Sequence, residues 1–267
     1  VISSTEDIAL KARRSVLEMV HRANSSHVGS SLSVVDILSV LYGGVANVSA
    51  TNLHDRERDL VIVSKGHAAA ATYAVLAEVG ILPLEWLKTY SADGAVLGGH
   101  VTSHGVPGVE LSTGSLGHGL PFALGVAIAA SRAGSSRKSF VVMSDGECDE
   151  GTTWESAMLA AHHRLGNLVV IIDRNGIQSL GSTESTVQLE PFAEKWRAFR
   201  WDVYEVDGHD HEALRDALNS PPTAAPRVII ASTVKGKGVS FMENTVLWHY
   251  RSPNDGEFAA AMEELSQ

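Results

Sequence analysis

Between residues 141 and 155 the chain reads VVMSDGECDEGTTWE. A short apolar run opens there into four carboxylates, Asp145, Glu147, Asp149 and Glu150, with two glycines and the chain's one cysteine among them. Acids gathered at the mouth of a buried strand repel one another unless a positive charge sits among them. Some thirty residues on, a second apolar run ends in IIDRNGI and carries Asn175 just past its end. A parallel crossover between two such strands puts both their ends on one edge of a sheet. A carboxylate and a carboxamide then converge at the carboxyl edge, where open α/β sheets bind ligands. Both offer hard oxygen and, with a backbone carbonyl and phosphate oxygens, complete an octahedral site for Mg²⁺ or Ca²⁺. The expected positive charge is a divalent cation, and what it holds is a diphosphate. The same residues also read as two plain turns, Asp145-Gly146 and Asn175-Gly176, and the pair alone leaves both readings open.

The elements that must position these groups follow from periodicity. Four short, continuously apolar runs, LVIV (60–63), SFVVM (139–143), LVVII (168–172) and RVIIAS (227–232), predict strands buried on both faces of a parallel sheet. Helical patterns lie between them at 66–79, 117–132, 152–164 and 211–218. Ahead of them stands TEDIALKARRSVLEMVHRA, an amphipathic helix opened by Ser4 or Thr5, with Leu10, Val16, Leu17 and Val20 on one face. SLSVVDILSVLYGG follows as a helix ended by Gly43-Gly44. The crossover helix after Asp145 shows a capping box, Thr152 with Glu155, and turns Trp154, Ala157, Met158 and Ala161 to one side. An acidic helix, DGEFAAAMEEL, closes the chain. Strands alternating with helices predict a doubly wound α/β fold. No repeat, low-complexity tract or linker divides residues 1–267, and the proline-rich NSPPTAAP (219–226) has too little chain after it for another domain.

Composition narrows the function classes. A chain of 267 residues, 44% hydrophobic and 19% charged, can bury one large core. No apolar run of membrane-spanning length is expected, and VISSTEDIALKARR lacks a secretion pattern. A lone Cys148 leaves no internal disulfide, so a reducing cytoplasm is the expected location. Cys148 itself reads as a spectator whose acidic neighbours raise its thiol pKa. A net charge of −10 without a Lys/Arg cluster argues against a nucleic-acid surface. Such a chain binds an anion through helix N-termini, histidines or a metal ion. It carries 12 histidines, several of them beside glycine or serine.

These stretches resemble the transketolase family. The thiamine-diphosphate motif, G-D-G with an Asn some thirty residues later, is matched by Ser144-Asp145-Gly146 and Asn175, with Ser144 in place of the first glycine. SSHVGSSLSVVDILSVLY, RDLVIVSKGHAAAATYAVLAE, GGHVTSHGVPGVELSTGSLGHGLPFALGVAIA, SDGECDEGTTWESAMLAA, DRNGIQSLGST and TVKGKGVSFMEN with Trp248-His249 each resemble a transketolase block, in family order, over nearly the whole chain. The resemblance implies the thiamine-diphosphate-binding fold, a parallel sheet flanked by helices on both faces. It implies that Asp145, Asn175 and the Ile177 carbonyl ligate the metal and that Gly146 approaches the diphosphate closely. Ser30 and His67 would hydrogen-bond phosphate or cofactor; Gly114, Ser115 and Leu116 would contact its ring system; Lys235 would help neutralise the diphosphate. His27, His100 and His249 would line the substrate channel, meet the ketose oxygens and move protons, with His249 also in reach of the cofactor. Glu150 would link paired active sites across a subunit interface.

Plainer readings stand beside these. His27 also suits the cap of a turn and His67 the start of a helix, and Lys235 with Lys237 suits a solvated basic turn. His104 reads as solvent-exposed, and His162 and His163 as structural. His118 stands where the family has Gln and Tyr250 where it has Gly. The chain stops where the family's diphosphate-binding domain stops, which implies the N-terminal subunit of a split transketolase. Such a subunit is expected to be inactive alone. It would act with a separately encoded C-terminal subunit bearing the pyrimidine-binding domain and its activating glutamate, as an α2β2 heterotetramer. The implied reaction moves a two-carbon ketol unit from a ketose phosphate to an aldose phosphate, as in pentose phosphate chemistry. Two alternatives are the α-subunit of a 2-oxo-acid dehydrogenase, which gives no reason for the histidines, and a non-catalytic cofactor-binding partner in regulation or assembly.

Overall fold

Five parallel strands, β1 (Leu60–Val63), β2 (Ser139–Ser144), β3 (Leu168–Arg174), β4 (Asp202–Asp207) and β5 (Arg227–Ser232), form one sheet in the order β1-β2-β3-β5-β4. The computed structural model describes residues 3–266; Val1, Ile2 and Gln267, part of the terminal stretches read above, lie outside them. Side chains alternate across the strands and divide the apolar interior in two. Val61, Val63, Phe140, Val142, Val169 and Ile171 face a core shared with α1 (Thr5–Ala23), α2 (Val28–Val40), α3 (Ala69–Glu78) and α8 (His211–Asn219). Ile62, Val141, Met143, Val170 and Ile172 face the other core, under α4 (Gly119–Arg132), α5 (Gly151–His162) and α7 (Phe192–Ala198). A single helical turn, α6 (Thr183–Thr186), precedes α7, and α9 (Asp255–Glu264) packs on α1. Helices thus cover both faces, as the continuous apolar strands require.

Several expectations are corrected. Strand β4 was not foreseen: DVYEVD alternates polar with apolar residues because it is an edge strand, half-exposed along its length. Leu10 does not share the buried face of α1 but is 44% exposed. The capping box at α5 does not form. Glu150 occupies the N-cap without a side-chain bond, and the Thr152 hydroxyl instead donates to the Gly117 carbonyl at 2.7 Å. Met158 turns outward on the same helix. A membrane-length apolar run does exist: α2 continues through a π-turn (Leu41–Val45), so residues 28–45 are long and apolar enough to cross a bilayer. Burial explains it, since every residue of α2 lies inside the core.

Candidate active site

Register places the chemistry. Ser144 pairs with Asp173 across β2 and β3, so the chain leaves both strands at one edge, carrying Asp145 and Asn175 together. A cavity of about 220 Å³ opens there. Its floor is Ser144, Asp145 and Gly146 after β2 and Asn175 and Ile177 after β3; Gln178, Ser179 and Lys235 close one side. His27 and Ser30 come from the start of α2, His67 from the 3₁₀ turn before α3, and His100, Gly114 and Leu116 from the long loop before α4. His249 and Tyr250 complete the mouth. Loop and helix approach closely: a Cβ on Gly66 would lie 2.2 Å from the Thr113 carbonyl oxygen, so only glycine fits beside His67. Ser115 and Glu150 do not line the cavity; both are exposed beside it.

The donors suit a hard cation. Asp145 is buried; its Oδ1 accepts from Gly146 N at 2.8 Å and its Oδ2 from Gly176 N at 2.7 Å and Arg174 Nη1 at 3.4 Å. Burial and then the neighbouring Asp173 charge push its pKa up, so this carboxylate lacks full compensation. Asn175 donates from Nδ2 to Asp173 Oδ2 at 3.4 Å, which leaves Oδ1 as its acceptor end. The Ile177 carbonyl already holds a positive group, the Lys235 ammonium at 2.9 Å. Lys235 also reaches the Gln178 carbonyl at 3.4 Å and His249 Nδ1 at 3.0 Å. Burial, then Lys65, lowers its pKa to about 8 against the pull of Asp145 and Asp173. Among the described residues no cluster of three or more His, Cys, Asp or Glu is placed for a metal. One carboxylate, one carboxamide and one carbonyl instead match a cation that completes its shell with phosphate oxygens. Behind them lies a buried ion pair, Lys65–Asp173, which sequence reading missed. Lys65 also donates to the Ser30 carbonyl at 3.2 Å, and Asp173 accepts from Ser33, Thr233 and Asn175. A charged residue at the end of each apolar run, Lys65 past β1 and Asp173 in β3, was the available signal.

Four imidazoles gather above. Ring centroids lie 5.1 Å apart for His27–His249, 5.4 Å for His27–His100, 5.5 Å for His27–His67 and 5.9 Å for His67–His249. His27 takes a left-handed backbone, φ 72°, and its N–H bonds the His249 carbonyl at 2.8 Å. Tyr250 stacks edge-on against His249 at 4.7 Å. Burial, then His100, Lys235 and Lys65, lowers the His27 pKa to about 4. Burial, then Lys235, His27 and Lys65, takes His249 to about 3, and burial takes His67 well below its ordinary value. Near neutral pH these three rings are uncharged, each with one N–H and one lone pair: they can accept and return protons without repelling one another. Of the remaining histidines, His104 and His118 are exposed, and His162 and His163 meet edge-on at 5.1 Å at the end of α5. Cys148 is buried, and burial, then Glu147 and Asp145, raises its pKa well above the ordinary value.

The histidine shifts have a stability consequence. Unfolded His27 and His249 protonate near 6.5, whereas the folded rings wait until about 4 and about 3. Between those values the unfolded chain binds more protons, so these groups lower stability as pH falls. Urea unfolding of the ligand-free chain and of the His27→Asn/His249→Asn double variant at about pH 7.5 and about pH 5 isolates the effect. The native chain should lose stability on acidification relative to the variant. A constant difference would show that the rings protonate normally in the fold.

Residues 4–266 match the family model described as the transketolase thiamine diphosphate binding domain. The chain is 45% identical over 264 residues to one of the subunits of the apulose-4-phosphate transketolase from Actinobacillus succinogenes, covering 97% of this chain and 95% of that one. It is 36% identical over 257 residues to the 6-deoxy-6-sulfo-D-fructose transketolase subunit SqwG of a Clostridium species, covering 96% and 94% of the two chains. The solved transketolase from Leishmania mexicana superposes with a TM-score of 0.92 at 30% identity, covering 100% of this chain and 42% of that one. This chain therefore spans about two fifths of that solved transketolase and nearly the full length of the two subunits. By sequence over its described length and by fold, the chain belongs to the transketolase family, as its thiamine diphosphate binding domain.

Proposed function

We propose that the cavity holds thiamine diphosphate through Mg²⁺, and that the chain serves a two-subunit transketolase whose second, separately encoded subunit supplies the pyrimidine-binding half. The observation that carries this reading is that Asp145, Asn175 and Ile177 line one cavity together with four imidazoles, with Lys235 seated on the Ile177 carbonyl. The bound cofactor supplies the carbon nucleophile and electron sink that a protein side chain cannot. This chain's residues do the rest. Asp145, Asn175 and Ile177 hold the cation; Ser30, His67 and Lys235 meet the diphosphate, helped by the free amides at the start of α2. Gly114 and Leu116 face the ring system. His27, His100 and His249 orient the sugar hydroxyls and take or return their protons.

Exposed apolar side chains support a partner. Phe122 on α4, Met158 and Leu159 on α5, and Leu247 and Tyr250 near the cavity mouth are each at least 41% exposed. An α2β2 assembly working on ketose and aldose phosphates in the cytoplasm fits this reading, with Glu150 at a subunit contact. The relatives act on unlike sugars by their names, apulose-4-phosphate and 6-deoxy-6-sulfo-D-fructose, so the sugar is a matter for assay. The test is titration calorimetry of the chain with thiamine diphosphate and Mg²⁺, then ketol-transfer assays with and without the candidate second subunit. Mg²⁺-dependent binding, with turnover only in the pair, is the expected outcome. Turnover by the chain alone would refute the two-subunit reading, and cofactor uptake without turnover in any pair would favour a regulatory partner.

A further inference from the structure

Glu147 is a carboxyl group shut off from solvent, and among the described residues it forms no ion pair, the nearest influence of that kind being the charge of Lys65. It sits in the 3₁₀ turn after β2 (Gly146–Asp149), two residues beyond Asp145, with its side chain fully buried. Oε1 accepts the Ser64 hydroxyl and the Gly117 N–H, the latter at 2.9 Å; among the described residues Oε2 has no partner within hydrogen-bond geometry, though the Ser144 backbone N–H lies near the carboxyl. Ser64 Oγ in turn accepts from Gly119 N at 3.0 Å. The acid thus reaches the two amides that end the 114–119 loop, one directly and one through a hydroxyl. Other contacts close the same junction. The Thr152 hydroxyl donates to the Gly117 carbonyl at 2.7 Å, and that of Thr153 to the Glu147 carbonyl at 3.1 Å. No side chain fits at either glycine: a Cβ on Gly119 would meet Ser64 Oγ at 2.3 Å, and one on Gly117, at φ 81°, would meet Thr152 Oγ1 at 2.5 Å. Burying an acid with one oxygen unmet is costly, and a hydrophobic residue of similar size would avoid that cost.

We propose that Glu147 is a positioning residue: it ties the loop whose Gly114 and Leu116 line the cavity to the turn that carries Asp145, so that the ring-facing and cation-facing walls are held in one register. The proposal rests on the cofactor reading given above. Part of its test does not depend on that reading. Hydrogen exchange of the ligand-free full chain reads the Gly117 and Gly119 amides directly. Glu147→Leu should speed exchange at Gly117 by about tenfold, the weight of one lost hydrogen bond, and at Gly119 by less, since Ser64 Oγ still accepts its N–H. Glu147→Gln retains an acceptor oxygen and should restore protection at both. Ser64→Ala should expose Gly119 alone and leave Gly117 protected by Glu147, which keeps the proposal testable if the leucine variant does not fold. In calorimetry with thiamine diphosphate and Mg²⁺, Glu147→Leu should bind about tenfold more weakly and Glu147→Gln close to the native chain. Unchanged exchange at Gly117, or a loosened loop with native cofactor affinity, would overturn the proposal. If the native chain takes up no cofactor, the cofactor reading fails separately, and exchange still judges whether Glu147 holds the loop.

Discussion

Lys65→Met is expected to destabilise the ligand-free chain by roughly 3–5 kcal/mol, the range for removing one partner of a buried ion pair. Both side chains are completely inaccessible, 0% exposed, so no water can replace the lost ammonium. Burial alone would raise the Asp173 pKa; Lys65, with the Ser33 and Thr233 hydroxyls, pulls it below the ordinary value. Methionine fills the same volume and leaves a buried anion beside Asp145. The variant should therefore regain stability as pH falls and Asp173 takes a proton. Lys65→Met/Asp173→Asn removes both charges and keeps an acceptor for Ser33 and Thr233. It should recover most of the loss in urea unfolding at neutral pH. A single variant as stable as the native chain would mean that Asp173 is already neutral in the fold. The pair binds α2, through Ser30, to the ends of β1 and β3, so the same variant should also widen the cavity floor.

What the sequence disclosed and what it hid follow from the range of the interactions. Parallel strands buried on both faces must be apolar throughout, so LVIV and its counterparts were legible from local composition. Asp145 and Asn175 were legible because the crossover rule converts two distant strand ends into one edge. The edge strand β4 was not, since DVYEVD lacks the continuous apolar signal of a central strand. Thr152 misled for a related reason. Its spacing to Glu155 fits a local cap, but the Gly117 carbonyl lies within reach and takes its hydroxyl. The supporting groups were least visible. Lys65 and Asp173 are 108 residues apart, and Ser64 and Glu147 are 83 apart; each looks like an ordinary polar residue until the fold buries it beside its partner. The histidines fall between these cases. Their glycine- and serine-rich settings marked them, whereas their gathering around His27 depends on the close packing of Gly29 against Lys235 and Trp248.

Asp145→Asn is expected to separate stability from function. Asparagine keeps an oxygen for Gly146 N or Gly176 N and removes a charge that faces Asp173 and, among the described residues, pairs only with Arg174, at 3.4 Å. Arg174 is itself shared with Glu184 and Glu190, so its compensation of Asp145 is divided. The ligand-free variant should then melt close to the native chain, because relief of the repulsion between two buried carboxylates offsets the one backbone N–H that the amide nitrogen cannot accept. Its affinity for thiamine diphosphate in Mg²⁺ should fall by about 100-fold or more, because the proposed site would lose its one anionic protein ligand; such losses run to 2–5 kcal/mol for a buried charge partner. Melting curves with and without Mg²⁺ and cofactor read both quantities in one experiment. The native chain should gain several degrees on adding the pair of ligands, and the variant should gain almost none. A variant that melts lower without ligand yet keeps its ligand-induced gain would show that Asp145 braces two turns and carries no cation. The charge kept at that strand end would then need another explanation.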